Sequence, residues 1–529
     1  MKKKNRLYVV LLFIVSLFAM MPMFTTSYKS SHDTKFHLTN IITLTEQIKK
    51  ETFPSGIVGN IGNDFGYATN LFYPPLAHTS ISYMNVVINN PLISIKIFYL
   101  AILFLSGLTM YYLARKLSKS DEIGFISAVI YMLFPYHLTN IYIRDAQGEA
   151  LLFVFLPLIF SSLYELFSED GNKNKFYPLF IIGYVGGMLS HLTMMIYFTI
   201  LILVYLAIKY KKTFKNIKYF VTASLFILGI TSFFYVPLLE HKILGDYRVF
   251  KDGVMVQGTQ DHGLELNRYI NIFSDYGNNK AKYFIDGITL ILLAITIFKY
   301  KKIDKKYIPI IIFGLISIFL SSKYFPWDSL PRSTRMIQYP WRFETFVALS
   351  ISIIAPLCLN LMNDKKLACI FLSFAILLLA QPMLRQASDE VINLNHIEYV
   401  YGLGYQQEYM PVNINENLDY YNSRNKDVII TDGIGEVKTT LNDVPNLEFT
   451  VNTDSIVTIE LPRIYYLGYT LKGNNKTYQL YENDKGFVET KVESGTYNLE
   501  YTGTKIDRIC NYISIISLLG CVILIWKKR

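Results

Sequence analysis

Residues 7–24, LYVVLLFIVSLFAMMPMF, follow the basic start MKKKNR and contain no charged side chain. A helix needs about 20 mostly apolar residues to cross a bilayer, so this stretch predicts a membrane span. The basic start and apolar centre also resemble a secretory signal peptide. Because bulky residues rather than a small-residue cleavage site follow the apolar centre, we expect an uncleaved first span.

The rest of the chain repeats this pattern. It has 529 residues, of which 52% are hydrophobic and 17% charged, whereas soluble domains carry about a quarter charged residues. The segment GGMLSHL (186–192) divides one long apolar run into two spans joined by a tight turn. We predict about twelve transmembrane helices in all, the further eleven at residues 94–114, 123–140, 150–167, 176–190, 193–209, 219–239, 284–299, 307–321, 343–361, 366–383 and 508–526.

The distribution of basic residues along the chain agrees with twelve spans. A formal net charge of +10 would suggest nucleic acid for a soluble protein, but here the basic residues lie in short loops between apolar runs, so no nucleic acid partner is expected. Lys and Arg clusters fall in alternate loops, as the positive-inside bias requires. The pattern predicts a cell-membrane protein with both termini cytoplasmic. The clusters are ARKLSKS (114–120), SEDGNKNK (168–175), KYKKTFKNIK (209–218), KYKKIDKKY (299–307), NDKK (363–366) and WKKR (526–529).

The long loops all fall on the other side, at 25–91, 141–149, 240–282, 322–341 and 384–506. Polar and apolar residues alternate repeatedly in the last of them, between Asn, Asp and Gly turns, which predicts an extracytoplasmic antiparallel β-sandwich. The segments are DVIITD (427–432), LEFTVN (447–452), SIVTIELP (455–462), TYQLYE (477–482), FVETKV (487–492) and TYNLEYTG (496–503). The predicted organisation is a transmembrane domain over 1–383, a β-rich domain over 384–506, and a final helix with a cytoplasmic tail over 507–529.

Asp33 lies directly after the first span, in SSHDTKFHL (30–38). Residues 34–50 after it show helical spacing of apolar residues and predict an amphipathic helix on the outer leaflet. Asp33 has two interpretations: an N-cap worth about 1 kcal/mol, or a functional carboxylate at the membrane surface. In the functional interpretation His37, one turn further on, supports Asp33.

Further ionisable residues gather at the predicted outer ends of the helices. The loop NIYIRDAQGEALL (140–152) carries Arg144, Asp145 and Glu149, either as a salt bridge or as a functional group, because a carboxylate near lipid is costly unless paired or used. Arg342, in MIQYPWRFETF (336–346), is either an interfacial anchor or a ligand for a lipid phosphate, whose oxygens a guanidinium binds in pairs. The other candidates for substrate binding are His191, Glu240, Gln338 and Trp341.

The sequence contains no metal-site motif, Walker sequence, nucleophile elbow or nucleotide-binding glycine pattern. An enzyme outside the cytoplasm has no ATP or nucleotide sugar, so no nucleotide cofactor is expected. A group donor on that side would have to arrive attached to a lipid.

Seven segments, in order along nearly the whole chain, resemble the bacterial YfhO-type membrane proteins, also described as pyruvoyl-tetrahydropterin-synthase-related, and through them the GT-C glycosyltransferases. The segments are HDTKFHL (32–38), FGYATNLFYPPL (65–76), YIRDAQGEA (142–150), LSHL (189–192), QYPWRF (338–343), EYMP (408–411) and LPRIYYLGYTLKG (461–473). The synthase description implies zinc-bound histidines, and the eight histidines here are too scattered for that.

The resemblance implies a GT-C core with Asp33 as its essential acidic residue and general base, and Asp145 or Glu149 as a second acidic site. It implies transfer of a hexosyl or acetylhexosaminyl group from a polyprenyl-phosphate donor to a cell-surface glycan, such as a teichoic acid, or to a glycolipid. Arg342, with Arg144 or His191, would stabilise the departing phosphate. No second acidic residue adjoins Asp33, which leaves a divalent metal requirement undecided.

Two alternatives stay open at this point. One is a flippase or transporter of lipid-linked saccharides, which would favour internal repeats and polar residues deep in the spans; the sequence has neither. The other is a noncatalytic scaffold of the cell envelope that binds wall polymer through its β-domain.

Overall fold

A computed structural model describes the chain in several segments. The described residues are 3–25, 27–28, 30–50, 56–59, 63–251, 258–265, 304–360, 392 and 407–527. The predicted spans 284–299 and 366–383 lie outside these residues, as do 266–282 of the third outer loop, most of 384–406 and the final residues 528–529.

Helices make up most of the described chain before residue 361. They are α1 (Lys3–Ala19), α2 (Thr34–Lys49), α3 (Thr69–Phe72), α4 (Leu76–Ile88), α5 (Pro91–Ser118), α6 (Asp121–Met132), α7 (Pro135–Tyr142), α8 (Gln147–Phe167), α9 (Phe176–Ser190), α10 (Leu192–Ile208), α11 (Tyr210–Lys215), α12 (Ile217–Leu244), α13 (Ile308–Ser321) and α14 (Glu344–Asn360). The later helices are α15 (Val412–Glu416), α16 (Leu418–Ser423) and α17 (Lys505–Lys527).

Four described helices, α5, α8, α12 and α17, are long and apolar enough to cross a membrane, and the bent pair α6 and α7 would make a fifth. The first apolar run and α10 form shorter apolar helices. The division of residues 176–208 agrees with the structure, since α9 ends at Ser190 and α10 begins at Leu192. The number twelve and a GT-C arrangement stay predictions.

One predicted span is broken. The run 123–140 forms two helices bent by 40° rather than a single straight one. The break falls at Phe134, whose backbone is extended before Pro135 at the first position of α7. Proline disfavours a helical conformation in the residue before it and removes a backbone donor, so the continuous helix was the wrong expectation here.

The connecting loops separate into two groups at opposite ends of the helices. At one end, Lys119 Nζ lies 3.1 Å from Asp170 Oδ2, and the Tyr307 hydroxyl donates to the Leu117 carbonyl oxygen at 2.6 Å. These residues come from three of the loops predicted to be cytoplasmic. At the other end, the loops around Asp33, Arg144, His191 and Arg342 meet. The loops that connect the described helices therefore alternate between the two ends of the helices along the chain.

Helix α2 forms where predicted, but its polar side is buried as well as its apolar side. Among its residues Thr39, Asn40 and Thr45 are at most 3% exposed, and each donates to a backbone carbonyl four residues earlier. This local hydrogen bonding satisfies polar groups away from water. The helix is a packed part of the structure rather than one that rests on a lipid surface.

The C-terminal region forms the predicted β-sheet structure, with nine strands in two antiparallel sheets. The strands are β1 (Ile429–Asp432), β2 (Glu436–Asp443), β3 (Asn446–Asn452), β4 (Val457–Ile464), β5 (Tyr469–Gly473), β6 (Lys476–Tyr478), β7 (Tyr481–Glu482), β8 (Phe487–Val492) and β9 (Gly495–Tyr501). One sheet has the order β1-β4-β8-β7 and the other β2-β3-β9-β5-β6. Inward-facing residues alternate along β3, where Leu447, Phe449 and Val451 are buried.

The β-sheet core includes part of the first long loop. Ile57, Phe65 and Tyr67 are at most 1% exposed and belong to the same apolar cluster as the strands. The backbone N–H of Ile464 donates to the Phe65 carbonyl oxygen at 3.0 Å. The sheets are thereby joined to the residues that follow α2.

Candidate functional site

A cavity of about 810 Å³ lies where the loops of one helix end meet the segment after residue 406. Eight of the ten predicted site residues line it: Asp33, His37, Arg144, Glu149, His191, Gln338, Trp341 and Arg342. They come from four separate parts of the chain. The fold thus brings most of the predicted site residues together around one cavity.

Glu149 is the centre of the charged side of the cavity and is 2% exposed. Arg144 donates to both of its oxygens, Nη1 to Oε2 at 2.8 Å and Nη2 to Oε1 at 2.9 Å. The Tyr136 hydroxyl donates to Oε2 at 2.8 Å. Arg342 Nε lies 2.8 Å from Oε1 as an ion pair, without the alignment of a hydrogen bond. Two guanidinium groups thus share one carboxylate.

The backbone fixes this arrangement. The Asp33 N–H donates to the Arg144 carbonyl oxygen at 3.0 Å, which joins the first loop to the second. A Cβ on Gly148 would lie 2.4 Å from the Ser190 carbonyl oxygen, so only glycine permits the start of α8 to approach the end of α9 this closely. His191 follows directly, and its Nε2 lies 3.6 Å from Glu149 Oε1. Burial lowers the pKa of His191 to about 4, although Glu149 opposes the shift.

Asp33 occupies the N-cap position of α2, but its side chain makes no capping hydrogen bond. Within the described chain its carboxylate has no hydrogen bond or ion pair, and it lines the cavity. Burial raises the pKa of Asp33, and the opposing pull of Arg144 and then Arg342 does not cancel that effect. The geometry does not support the N-cap interpretation and leaves a carboxylate open to the cavity.

Behind Asp33, two buried histidines form a pair. His37 Nδ1 and His78 Nε2 are 2.7 Å apart, so one ring donates and the other accepts. Burial lowers the pKa of His37 well below its usual range and that of His78 to about 3, which keeps both rings neutral. Tyr73 stacks on His78, with ring centroids 5.0 Å apart. This pair supports the first turn of α2 without adding charge.

The segment before α14 positions Arg342. Its Nη1 donates to the Ile337 carbonyl oxygen at 2.9 Å and to Gln338 Oε1 at 3.0 Å, and its guanidinium lies 5.2 Å from the centre of the Tyr339 ring. Trp341 stacks on the Tyr339 ring, with the two ring centroids 4.4 Å apart. Gln338 therefore acts through Arg342 in this structure.

Two predicted site residues lie elsewhere. Asp145 is fully buried and does not line the cavity; Tyr99 donates to its Oδ1 and Tyr28 to its Oδ2. Burial raises the pKa of Asp145 to about 6 despite the hydrogen bond from Tyr99. Glu240 accepts a 2.6 Å hydrogen bond from Thr504 at the start of the last helix. Both positions are those of structural contacts.

Glu408 was not among the predicted site residues, although EYMP (408–411) is one of the segments that carry the family resemblance. It lines the cavity together with Tyr409. Burial raises the pKa of Glu408 to about 7, with Asp33 adding to the shift and the Tyr409 hydroxyl opposing it. His262 and Tyr73 also line the cavity. Glu408, His262 and Tyr73 were not predicted as site residues because only the tertiary fold brings them to the cavity.

The described residues do not present a metal site. No three His, Cys, Asp or Glu side chains among them approach one another as metal ligands do. We therefore assign no step of a reaction to a metal ion.

The fold and the apolar helices define a multispanning membrane protein with a C-terminal β-sheet region. The family model described as "6-pyruvoyl-tetrahydropterin synthase related domain; membrane protein" matches residues 71–388, more than half of the chain, and the protein belongs to this family. The resemblance drawn from the sequence is thereby confirmed at the level of the family. An uncharacterized protein of Lactococcus lactis subsp. cremoris (strain MG1363) is 24% identical over 605 residues, covering 99% of this chain and 96% of that relative.

Proposed function

We propose that this membrane protein is a glycosyltransferase that moves a sugar from a polyprenyl-phosphate donor to a glycan or glycolipid on the outer face of the cell membrane. One observation carries the proposal: the Asp33 carboxylate, which has no hydrogen-bond or ion-pair partner among the described residues, shares a cavity with two arginines, Arg144 and Arg342. A base and an anion-binding group in one cavity are what transfer from a lipid phosphate needs.

The charge of the cluster favours an anionic group. Arg144 and Arg342 carry two positive charges, and Glu149 neutralises one of them. His191 is neutral because its pKa is low. The remaining positive charge is partly buried, where Coulomb attraction to a phosphate is stronger than in water. Arg342 is the more exposed of the two arginines and is the expected contact.

In the proposed reaction, the acceptor hydroxyl gives its proton to the Asp33 carboxylate while its oxygen bonds to the anomeric carbon of the donor sugar. The bond between that carbon and the phosphate oxygen breaks, and its electron pair stays on the lipid phosphate. Arg342 and Arg144 stabilise the charge that grows there. The raised pKa of Asp33 makes it a stronger base than an exposed aspartate.

The acceptor would be a teichoic-acid-like polymer or a glycolipid, and the β-sheet region would help to hold it. The placement of this reaction on the outer face follows from the positive-inside pattern of the loops. The test is the composition of surface glycans in cells whose only copy carries Asp33→Asn. Asp454→Asn, at an exposed turn between β3 and β4, is the matched control.

Loss of one sugar in the Asp33 variant, at normal protein abundance on a blot and with the control unchanged, is the expected result. An unchanged glycan in the Asp33 variant would remove the transferase proposal. Accumulation of lipid-linked sugar on the cytoplasmic side would favour a flippase instead.

A further inference from the structure

The cavity has a second wall that the proposed reaction does not use. It is formed by Phe36, Phe72, Tyr73, Glu408 and Tyr409. Phe36 and Tyr73 are half-buried, with ring centroids 5.5 Å apart, so their rings contribute surface to the cavity. The rings of Phe72 and Tyr409 stack behind them with an interplanar angle of 7°. We call this set the aromatic wall.

Glu408 is held firmly in this wall. The N–H of Tyr409 donates to the Tyr67 hydroxyl at 3.2 Å, and the Tyr466 hydroxyl donates to the Tyr409 carbonyl oxygen at 3.0 Å. The Arg248 N–H donates to the Met410 carbonyl oxygen at 3.0 Å. Hydrogen bonds from three distant parts of the chain thus fix the backbone directly after Glu408.

Among the described residues, the Glu408 carboxylate has few polar partners. The hydroxyl of its neighbour Tyr409 opposes the rise in its pKa, and no Lys or Arg nitrogen in the described chain lies within ion-pair distance of it. Keeping a carboxyl group in a largely apolar wall costs free energy. A ligand with hydroxyl groups would satisfy its remaining acceptor sites.

We propose that the aromatic wall is the subsite for the transferred sugar, and that Glu408 selects an uncharged sugar by accepting hydrogen bonds from its hydroxyls. A sugar ring has apolar C–H faces that pack on aromatic rings and hydroxyls at its rim that need acceptors. Asp33, and Glu408 in its charged form, would repel a sugar that carries its own negative charge, so uronic acids and phosphosugars are disfavoured. The inference rests on the proposed function and adds its substrate class.

The experiment measures thermal stabilisation of the purified full-length protein in detergent by two kinds of lipid. The first is undecaprenyl phosphate alone, and the second is undecaprenyl phosphate carrying glucose, galactose or N-acetylglucosamine. The wild type should be stabilised by the bare lipid and stabilised further by at least one sugar-carrying lipid. Glu408→Gln should lose only the further stabilisation, with about tenfold weaker binding of the sugar-carrying lipid.

Glu482→Gln is the matched control. Burial also raises the pKa of Glu482 to about 7, but this residue binds Asn413 and does not line the cavity. The control should keep both stabilisation steps.

The outcomes separate the two proposals. No stabilisation by either lipid would refute the lipid-linked donor and with it the proposed function. Equal stabilisation by bare and sugar-carrying lipid would overturn the sugar subsite alone. Retention of the further step by Glu408→Gln would overturn the role of Glu408.

Discussion

Replacing Glu149 with Gln should destabilise the protein strongly, because it removes the only carboxylate of the Arg144, Glu149 and Arg342 cluster. The side chains of the two arginines are only 6% and 11% exposed, so both guanidinium groups would lose their counter-charge while they remain largely shielded from water. Breaking a buried ion pair by removing one partner costs about 3–5 kcal/mol. We expect a loss in that range in the free energy of unfolding.

Glu165→Gln is the control, since Glu165 lies at the other end of the same helix and its side chain is also fully buried. Glu165 pairs with Lys116 at 2.9 Å, but the Lys116 side chain is 34% exposed and can turn to water when its partner is lost. Tyr112 donates to Oε1 of Glu165 and the Asn172 N–H donates to Oε2. The single glutamine oxygen can accept from the Asn172 N–H, and the Tyr112 hydroxyl can turn to accept from the glutamine amide. This variant should lose about 1 kcal/mol.

The assay is denaturant unfolding in detergent micelles, followed by tryptophan fluorescence, because Trp341 lies in the cavity. Equal losses for the two variants would refute the reasoning that buried, shared positive charge makes Glu149 indispensable. A further variant, Glu149→Gln with Arg342→Gln, removes one of the stranded cations. It should be more stable than the sum of the two single changes predicts.

Four other changes test separate features. Gly148→Ala should lower the midpoint of thermal unfolding, with a cost of about 1–3 kcal/mol for the forced separation of α8 from α9; an unchanged midpoint would show that the helices move apart freely. Because burial raises the pKa of Glu408 from 4.5 to about 7, its neutral form stabilises the fold, and that contribution is present below pH 4.5 and lost as the pH rises to about 7. Glu408→Gln should remove this part of the pH dependence of unfolding, and an identical pH profile would contradict it. Arg342→Lys should reduce sugar transfer far more than the unfolding midpoint, since a point charge replaces a planar donor pair; full transfer by this variant would count against the phosphate contact. Asp145→Asn should keep sugar transfer, because the side chain lies outside the cavity and Asn tolerates its positive φ of 54°; complete loss of transfer at normal abundance would restore Asp145 as a catalytic candidate.

The sequence predicted those features that depend on local pattern. Apolar runs located the long apolar helices but not the short helices α3, α11, α15 and α16 or the loop helix α4, and the small residues before His191 located the break between α9 and α10. Alternation located most strands, but not β5 and not β2, which is exposed along most of both faces and so carries no apolar face to recognise. The bend before Pro135 was missed because apolar composition alone does not distinguish one span from two shorter helices.

The sequence identified most residues of the candidate site, but it did not show which of them contact one another. Asp145 and Glu149 are close in sequence and looked equivalent, yet α8 begins between them and they diverge. Glu149 turns into the cavity, whereas Asp145 turns to two buried tyrosines. Whether Asp33 was a helix cap depended on hydrogen-bond geometry. The role of Glu408 depended on the packing of a segment distant in sequence.

The joining of the first long loop to the β-sheet core has a consequence for biogenesis. Tyr67 and its partner Tyr409 are 342 residues apart in sequence, and a ribosome adds about 5–20 residues per second. For roughly 20–70 s the early segment, already released from the insertion machinery, must keep Ile57, Phe65 and Tyr67 without their final neighbours. The protein therefore completes its maturation only after nearly all of its chain has been synthesised, and chaperones that shield apolar segments should govern its yield.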